Sequence, residues 1–234
     1  MSKNKPKAHI LEIFSSIQGE GPYVGIKQIF IRFRGCNLRC SFCDTDSFGK
    51  SEGFSVDEIL GKLSTLKKEN PNIHFISLTG GEPLLHSRFL GKLLPKLKKM
   101  NFKIFLETNG TLPEKLMEII NFVDIISMDI KLPSTTGKTP FWGEHKRFLK
   151  IALKKEVYIK TLISSTTKEE EFLRSVNLVR DIDKDIPFVI QPVSAKNGIK
   201  PPLAEKLLKF QTLASRNLKE VRIIPQIHKI LGVK

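Results

Sequence analysis

Cys36, Cys40 and Cys43 stand on one short stretch, R-F-R-G-C-N-L-R-C-S-F-C-D-T from Arg32 to Thr45, and the chain has no other cysteine. With three and then two residues between them, their sulfurs can turn toward a common point. Three thiolates fall one short of the four ligands that a structural zinc takes. They suit an iron–sulfur cube, which takes one cysteine per iron and is left with one iron open to an external ligand. The competing readings are three buried or incidental thiols, or zinc completed by Asp44 or a histidine.

A second chemistry-bearing stretch, Thr79-Gly80-Gly81-Glu82-Pro83, follows the apolar run F-I-S-L-T at 75–79. Two glycines let the backbone approach a ligand closely and offer bare N–H and C=O groups. Glu82 could hold a positively charged amine. Taken alone, the stretch also reads as an ordinary strand-to-helix turn. Other polar residues have similarly plain readings. Gln18-Gly19-Glu20-Gly21 can be a hairpin turn, Arg32 and Arg34 surface charges, Thr45 a turn residue, and His228 a lone structural histidine.

The elements that must position these residues follow from periodicity. Alternation of apolar and polar residues predicts strands at 9–18, 28–34, 75–79, 103–108, 123–131, 157–163, 187–193 and 220–225. Helical spacing predicts helices at about 55–69, 87–99, 113–121, 143–155, 167–181 and 203–215. Ser55 with Glu58 forms a capping box at the first of these, and Thr167 is expected to cap the fifth. Strand and helix alternate about six times, which predicts an α/β fold of parallel β/α units with right-handed crossovers. Six units are too few to close an eight-stranded barrel, so a partial, open TIM-like barrel is expected. No repeat or linker is visible, and residues 1–234 read as one domain. Residues 1–27 form an N-terminal strand and loop extension, and 216–234 a C-terminal strand and tail. In such folds reacting groups sit at the C-terminal strand ends. The cysteine loop, T-G-G-E, E-T-N-G, S-M-D-I-K and Q-P-V all fall there.

Composition bounds the setting. The chain has 234 residues, 40% of them apolar, enough for one sizeable core. No apolar run approaches the roughly 20 residues of a membrane-spanning helix, and the basic start M-S-K-N-K-P-K lacks a following apolar signal region. A cytoplasmic protein is expected. The net charge is +15. Its lysines are scattered over helices rather than gathered in a stripe interleaved with aromatics, so a solvated basic surface is expected rather than a nucleic-acid partner.

The cysteine spacing with Phe42 before the last cysteine, followed by G-G-E at the end of the next strand, resembles the radical S-adenosylmethionine (SAM) enzymes. That resemblance implies a [4Fe–4S] cluster on Cys36, Cys40 and Cys43, with SAM chelating the open iron. One-electron cleavage of SAM then gives methionine and a 5′-deoxyadenosyl radical. It places Gly80, Gly81 and Glu82 along the methionine moiety, Phe42 near the adenine, and Ser127 and Gln191 at the ribose or carboxylate. Four further stretches, F-S-S-I-Q-G-E-G-P at 14–22, R-F-R-G-C-N-L-R-C at 32–40, C-D-T at 43–45 and Q-I-H-K at 226–229, resemble the 7-carboxy-7-deazaguanine synthase family. The substrate implied is 6-carboxy-5,6,7,8-tetrahydropterin, with Gln18 and Glu20 on the pterin, Arg32 on its carboxylate and His228 reaching in from the tail. Thr45 is implied as a ligand of Mg²⁺ bridging to that carboxylate. The reaction implied is ring contraction with loss of ammonia and regeneration of SAM. A homodimer and an external reductant of flavodoxin or ferredoxin type are the partners implied. Two positions depart from the family pattern. S-M-D-I-K at 127–131 stands where S-P-K is expected, and its Asp129 and Lys131 are similar to the D-x-K of glycyl-radical-enzyme activating proteins, which form the alternative reading. Ile227 stands where Thr is expected.

Overall fold

The computed structural model describes residues 6–43, 45–195 and 198–234. Asp44, the candidate zinc ligand, lies outside the described residues. The chain runs through β1 (Lys7–Ile17), β2 (Lys27–Phe33), β3 (Glu52–Ser55), α1 (Val56–Glu69), β4 (Phe75–Gly80), α2 (Ser87–Lys99), β5 (Lys103–Thr108), α3 (Pro113–Ile119) and β6 (Ile125–Asp129). It continues through α4 (Pro133–Thr136), α5 (Trp142–Ala152), β7 (Glu156–Ile163), α6 (Glu169–Arg180), β8 (Phe188–Pro192), α7 (Ala204–Ser215), β9 (Val221–Ile223) and α8 (Ile227–Leu231).

These strands form one sheet in the order β3-β1-β2-β4-β5-β6-β7-β8-β9. β1 runs antiparallel to both β2 and β3. From β2 to β9 every neighbouring pair is parallel. β3 and β9 are the two edges, so the sheet is the expected open, unclosed α/β barrel.

Strand side chains alternate between faces, and the two faces differ sharply in character. Ile29, Ile31, Phe33, Ile76, Leu78, Ile104, Leu106, Ile126 and Met128 point outward and pack in the main core with Leu90, Leu93 and Leu97 of α2 and Phe148 and Leu149 of α5. The opposite face starts apolar, with Phe105, Ile125, Tyr158 and Val189 packed around Tyr23. Two or four residues further along the same strands come Glu107, Asp129, Lys160 and Gln191. The concave face therefore has a greasy floor and a polar mouth, and the mouth lies at the C-terminal strand ends.

The capping box forms as expected: Ser55 Oγ accepts from Glu58 N–H at 3.3 Å and Glu58 accepts from Ser55 N–H at 2.6 Å. Thr167 does not cap α6. Its hydroxyl oxygen accepts from the Ser164 N–H at 2.8 Å and meets Thr135 Oγ1 at 2.6 Å, so it is tied into the preceding turn, and Lys168 is the residue before the helix. β3, α4 and α8 were not expected from periodicity. β3 is only four residues of E-G-F-S and exists through its pairing with β1. No described helix is long and apolar enough to cross a membrane.

Candidate active site

A cavity of about 410 Å³ opens at the mouth of the concave face. Cys36, Cys40 and Cys43 line it, together with Phe42, Thr45, Gly80, Gly81, Gln18, Glu20, Arg32, Gln191 and His228. Segments from both ends of the sequence thus converge on the cysteine loop.

β2 carries the chain straight into that loop. Gly35 turns it with φ +91°, and its carbonyl accepts from Glu82 N–H at 2.8 Å while the Phe33 carbonyl accepts from Gly81 N–H at 3.1 Å. The cysteine loop therefore lies flat on the end of β4. A Cβ at Gly81 would stand 1.9 Å from the Gly35 oxygen, and one at Gly80, where φ is +122°, 2.3 Å from the Phe33 oxygen. This is why two glycines occur together here. Burial pushes the thiols of Cys36 and Cys40 up from their ordinary pKa.

Glu82 and Ser127 do not line the cavity. The Glu82 carboxylate is fully buried beneath the glycines and accepts from Leu84 N–H at 3.0 Å, Thr108 Oγ1 at 3.0 Å and Asn109 N–H at 2.8 Å. Its oxygens join the ends of β4 and β5, and burial lifts its pKa to about 7. Ser127 is buried at the floor, the register partner of Tyr158 across β6 and β7.

The polar wall is a connected network. Glu107 accepts from Gln18 Nε2 at 2.9 Å, Ser77 Oγ at 3.0 Å and Thr79 Oγ1 at 3.0 Å. Gln18 Oε1 in turn accepts from Glu20 N–H at 3.1 Å. Glu20 ion-pairs with Lys160 and accepts from Gln226 Nε2 at 2.7 Å. Lys160 Nζ is 3.4 Å from Asp129 Oδ1, and Lys131 Nζ is 2.6 Å from Asp129 Oδ2. Lys131 also sits 5.4 Å from the Phe42 ring centroid. Burial pulls both ammonium groups down, and the neighbouring carboxylates outweigh it, so both are held above the ordinary lysine pKa. Asp129 and Lys131, the D-x-K departure, thus pair with each other on the cavity wall.

His228 reaches the cavity because α8 docks on the turn after β1: Ile227 N–H donates to the Gly19 carbonyl at 2.9 Å. Glu12, Glu107, Lys160 and Gln226 also line the site and were not among the expected residues. A signal existed for two of them. K-I-F-L-E-T and V-Y-I-K-T-L-I each carry a charge at the parity of the buried concave face, where a solitary surface charge has no place.

The radical SAM superfamily model matches residues 30–185. The chain is 41% identical to a 7-carboxy-7-deazaguanine synthase of Geobacter sulfurreducens, over 98% of this chain and 99% of that one. It is 32% identical to one of Methanocaldococcus jannaschii, over 96% of this chain and 99% of that one. The chain belongs to the 7-carboxy-7-deazaguanine synthase family of radical SAM proteins. The crystal structure of QueE from Escherichia coli shares its fold, with a TM-score of 0.65 at 22% identity and 95% of each chain covered.

Membership of the radical SAM superfamily implies a [4Fe–4S] cluster and SAM, and the residues present fit both. The three thiols share one cavity wall beside the bare Gly80–Gly81 edge. Gln191 lines the same cavity, is 1% exposed, and neither its amide oxygen nor its nitrogen has a hydrogen-bond partner. A buried amide left so is a site for a ligand's polar groups. Among the described residues no three His, Cys, Asp or Glu side chains converge on a single ion.

Proposed function

We propose that this chain is a radical SAM lyase that converts 6-carboxy-5,6,7,8-tetrahydropterin to 7-carboxy-7-deazaguanine with loss of ammonia, a step of queuosine- and archaeosine-type 7-deazapurine biosynthesis. The observation that carries this reading is the convergence of Gln18, Glu20, Arg32 and Thr45 with the three cysteines on one cavity, in a chain whose full-length relatives bear that enzyme's name.

Cys36, Cys40 and Cys43 hold the cluster; Gly80, Gly81, Phe42 and Gln191 hold SAM, with Glu82 and Ser127 bracing that subsite from behind. When bound, the cluster and SAM supply radical abstraction of hydrogen from the carbon bearing the substrate's carboxylate. Arg32 would pair with that carboxylate through its planar fork, and Thr45, on the same cavity wall, would supply a hydroxyl oxygen to a Mg²⁺ that would add positive charge beside that group. Gln18 and Glu20 accept from the N–H-rich edge of the pterin. His228 covers the substrate from the tail, and Phe14, Phe30 and Leu162 on the wall exclude water. The whole chain acts as a single radical SAM domain. With this reading go a homodimer, a flavodoxin- or ferredoxin-type reductant and a cytoplasmic location, which rest on the family resemblance and on the sequence.

The test is turnover. Reconstituted anaerobically with iron, sulfide, SAM, Mg²⁺ and a low-potential reductant, the protein is expected to form the carboxydeazaguanine from the carboxytetrahydropterin. A reducible cluster with no such product would sink the substrate assignment.

A further inference from the structure

Lys160 is buried on the cavity wall, 6% exposed, in the middle of β7. A buried ammonium is costly unless paired, and this one is paired twice, with Glu20 and with Asp129. An ammonium has three N–H donors and no acceptor. Glu20 takes one donor by hydrogen bond, while Asp129 Oδ1 at 3.4 Å is an ion pair without a hydrogen bond, so among the described residues the ammonium retains donor capacity. Leu162, two residues on and facing the same cavity, shows that the wall accepts an apolar side chain.

The pair matters for what it presents. The Glu20 carboxylate is an acceptor, and the Lys160 ammonium beside it is a donor. Together they complement a ring lactam, which offers an N–H donor next to a C=O acceptor. We propose that Lys160 is a specificity-determining residue that, with Glu20, reads the lactam edge of the pterin-class substrate and selects 4-oxo over 4-amino heterocycles. A 4-amino ring turns an NH₂ donor toward the ammonium and a bare ring nitrogen toward the carboxylate, so both contacts become repulsive. This rests on the pterin reading given above and adds to it which edge of the ring is read and by which group.

The test is equilibrium binding to the cluster-containing, SAM-loaded protein without reductant, using 6-carboxytetrahydropterin and its 4-amino counterpart. The wild type is expected to bind the 4-oxo compound at least about tenfold more tightly. Lys160→Met is expected to lose on the order of tenfold to hundredfold in affinity for the 4-oxo compound, the range for a charged donor. Its preference between the two compounds collapses, while SAM affinity and iron content stay unchanged. Lys160→Arg keeps a donor and recovers part of the loss. Equal binding of both compounds by the wild type, or an undiminished preference in Lys160→Met, overturns the proposal. If Lys160→Met does not fold, Lys160→Gln takes its place, since its amide can donate or accept and is likewise expected to lose the preference; an undiminished preference there overturns the proposal. A wild type that binds neither compound overturns the pterin reading itself.

Discussion

Arg32 and Glu12 are register partners across β1 and β2, and Arg32 Nε lies 3.1 Å from a Glu12 carboxylate oxygen at the wall of the cavity. The residue assigned to the substrate's carboxylate thus already leans on an internal one. Lys234 Nζ lies 2.7 Å from the other Glu12 oxygen, so the carboxylate is shared between two cations. The side chains of Arg32 and Glu12 are 26% and 30% exposed, which puts their pair in the weak class of about 1 kcal/mol or less. A guanidinium has five donors, so Glu12 can orient Arg32 and leave it donors for a ligand.

Arg32→Lys is therefore expected to raise the substrate Kd by roughly tenfold or more, because a point charge does not replace a bidentate fork. Glu12→Gln is expected to stay within a few-fold of wild type. A pterin lacking the carboxylate should bind Arg32→Lys and wild type alike. Equilibrium binding of the two pterins to the three proteins checks all of these, and an equal penalty for both pterins would remove Arg32 from the carboxylate.

Each of Cys36→Ser, Cys40→Ser and Cys43→Ser is expected to drop reconstituted iron from about four per chain toward zero. No disulfide is lost, since all three cysteines are free, so the far-ultraviolet circular dichroism should be retained. Metal analysis gives the check. Stoichiometric zinc in the wild type, with iron absent after reconstitution, would reverse the assignment.

Much of this site is legible in the sequence because its parts are local. Three cysteines in eight residues, a double glycine after a strand and Q-G-E-G after another each declare themselves without tertiary context. The T-G-G-E stretch is less legible in detail: its glycines line the cavity while the Glu82 carboxylate is buried beneath them, and spacing along a chain does not distinguish the two directions. Lys160 and Glu107 were passed over because their meaning is non-local. They matter only once β5 and β7 bring them to Gln18 and Glu20, from 89 and 140 positions away. β3 escaped for the same reason, since four residues without alternation become a strand only beside β1.

Gly19 supports a sharper test of the tail. A Cβ there would stand 2.1 Å from His228 Nδ1 and 2.6 Å from His228 Cβ. The near atoms include the root of the side chain, so a rotamer change cannot relieve the clash and α8 must move. Gly19→Ala is expected to weaken substrate binding by about tenfold or more while leaving SAM binding and iron content intact. His228→Ala should show a smaller effect in the same direction. Loss of SAM binding in Gly19→Ala would mean that the tail supports the whole site rather than the substrate end.

Glu82 predicts a pH dependence. Its folded pKa, about 7, is raised above the ordinary carboxylate value by burial, against three hydrogen bonds and the Lys131 charge that favour ionisation. Between about pH 4.5 and about 7 the folded protein holds a proton that the unfolded chain has released. Stability from this group is therefore full at low pH and falls as pH rises through that window, by up to roughly 3 kcal/mol. Glu82→Gln removes the titration but puts an amide N–H where one acceptor stood, at a cost of about 1–3 kcal/mol. In denaturant unfolding of the cluster-free protein, the variant should be clearly less stable than wild type near pH 5. The gap should shrink or reverse near pH 8. A gap that stays constant across this range would mean that Glu82 is ionised throughout, held so by Asn109, Leu84 and Thr108.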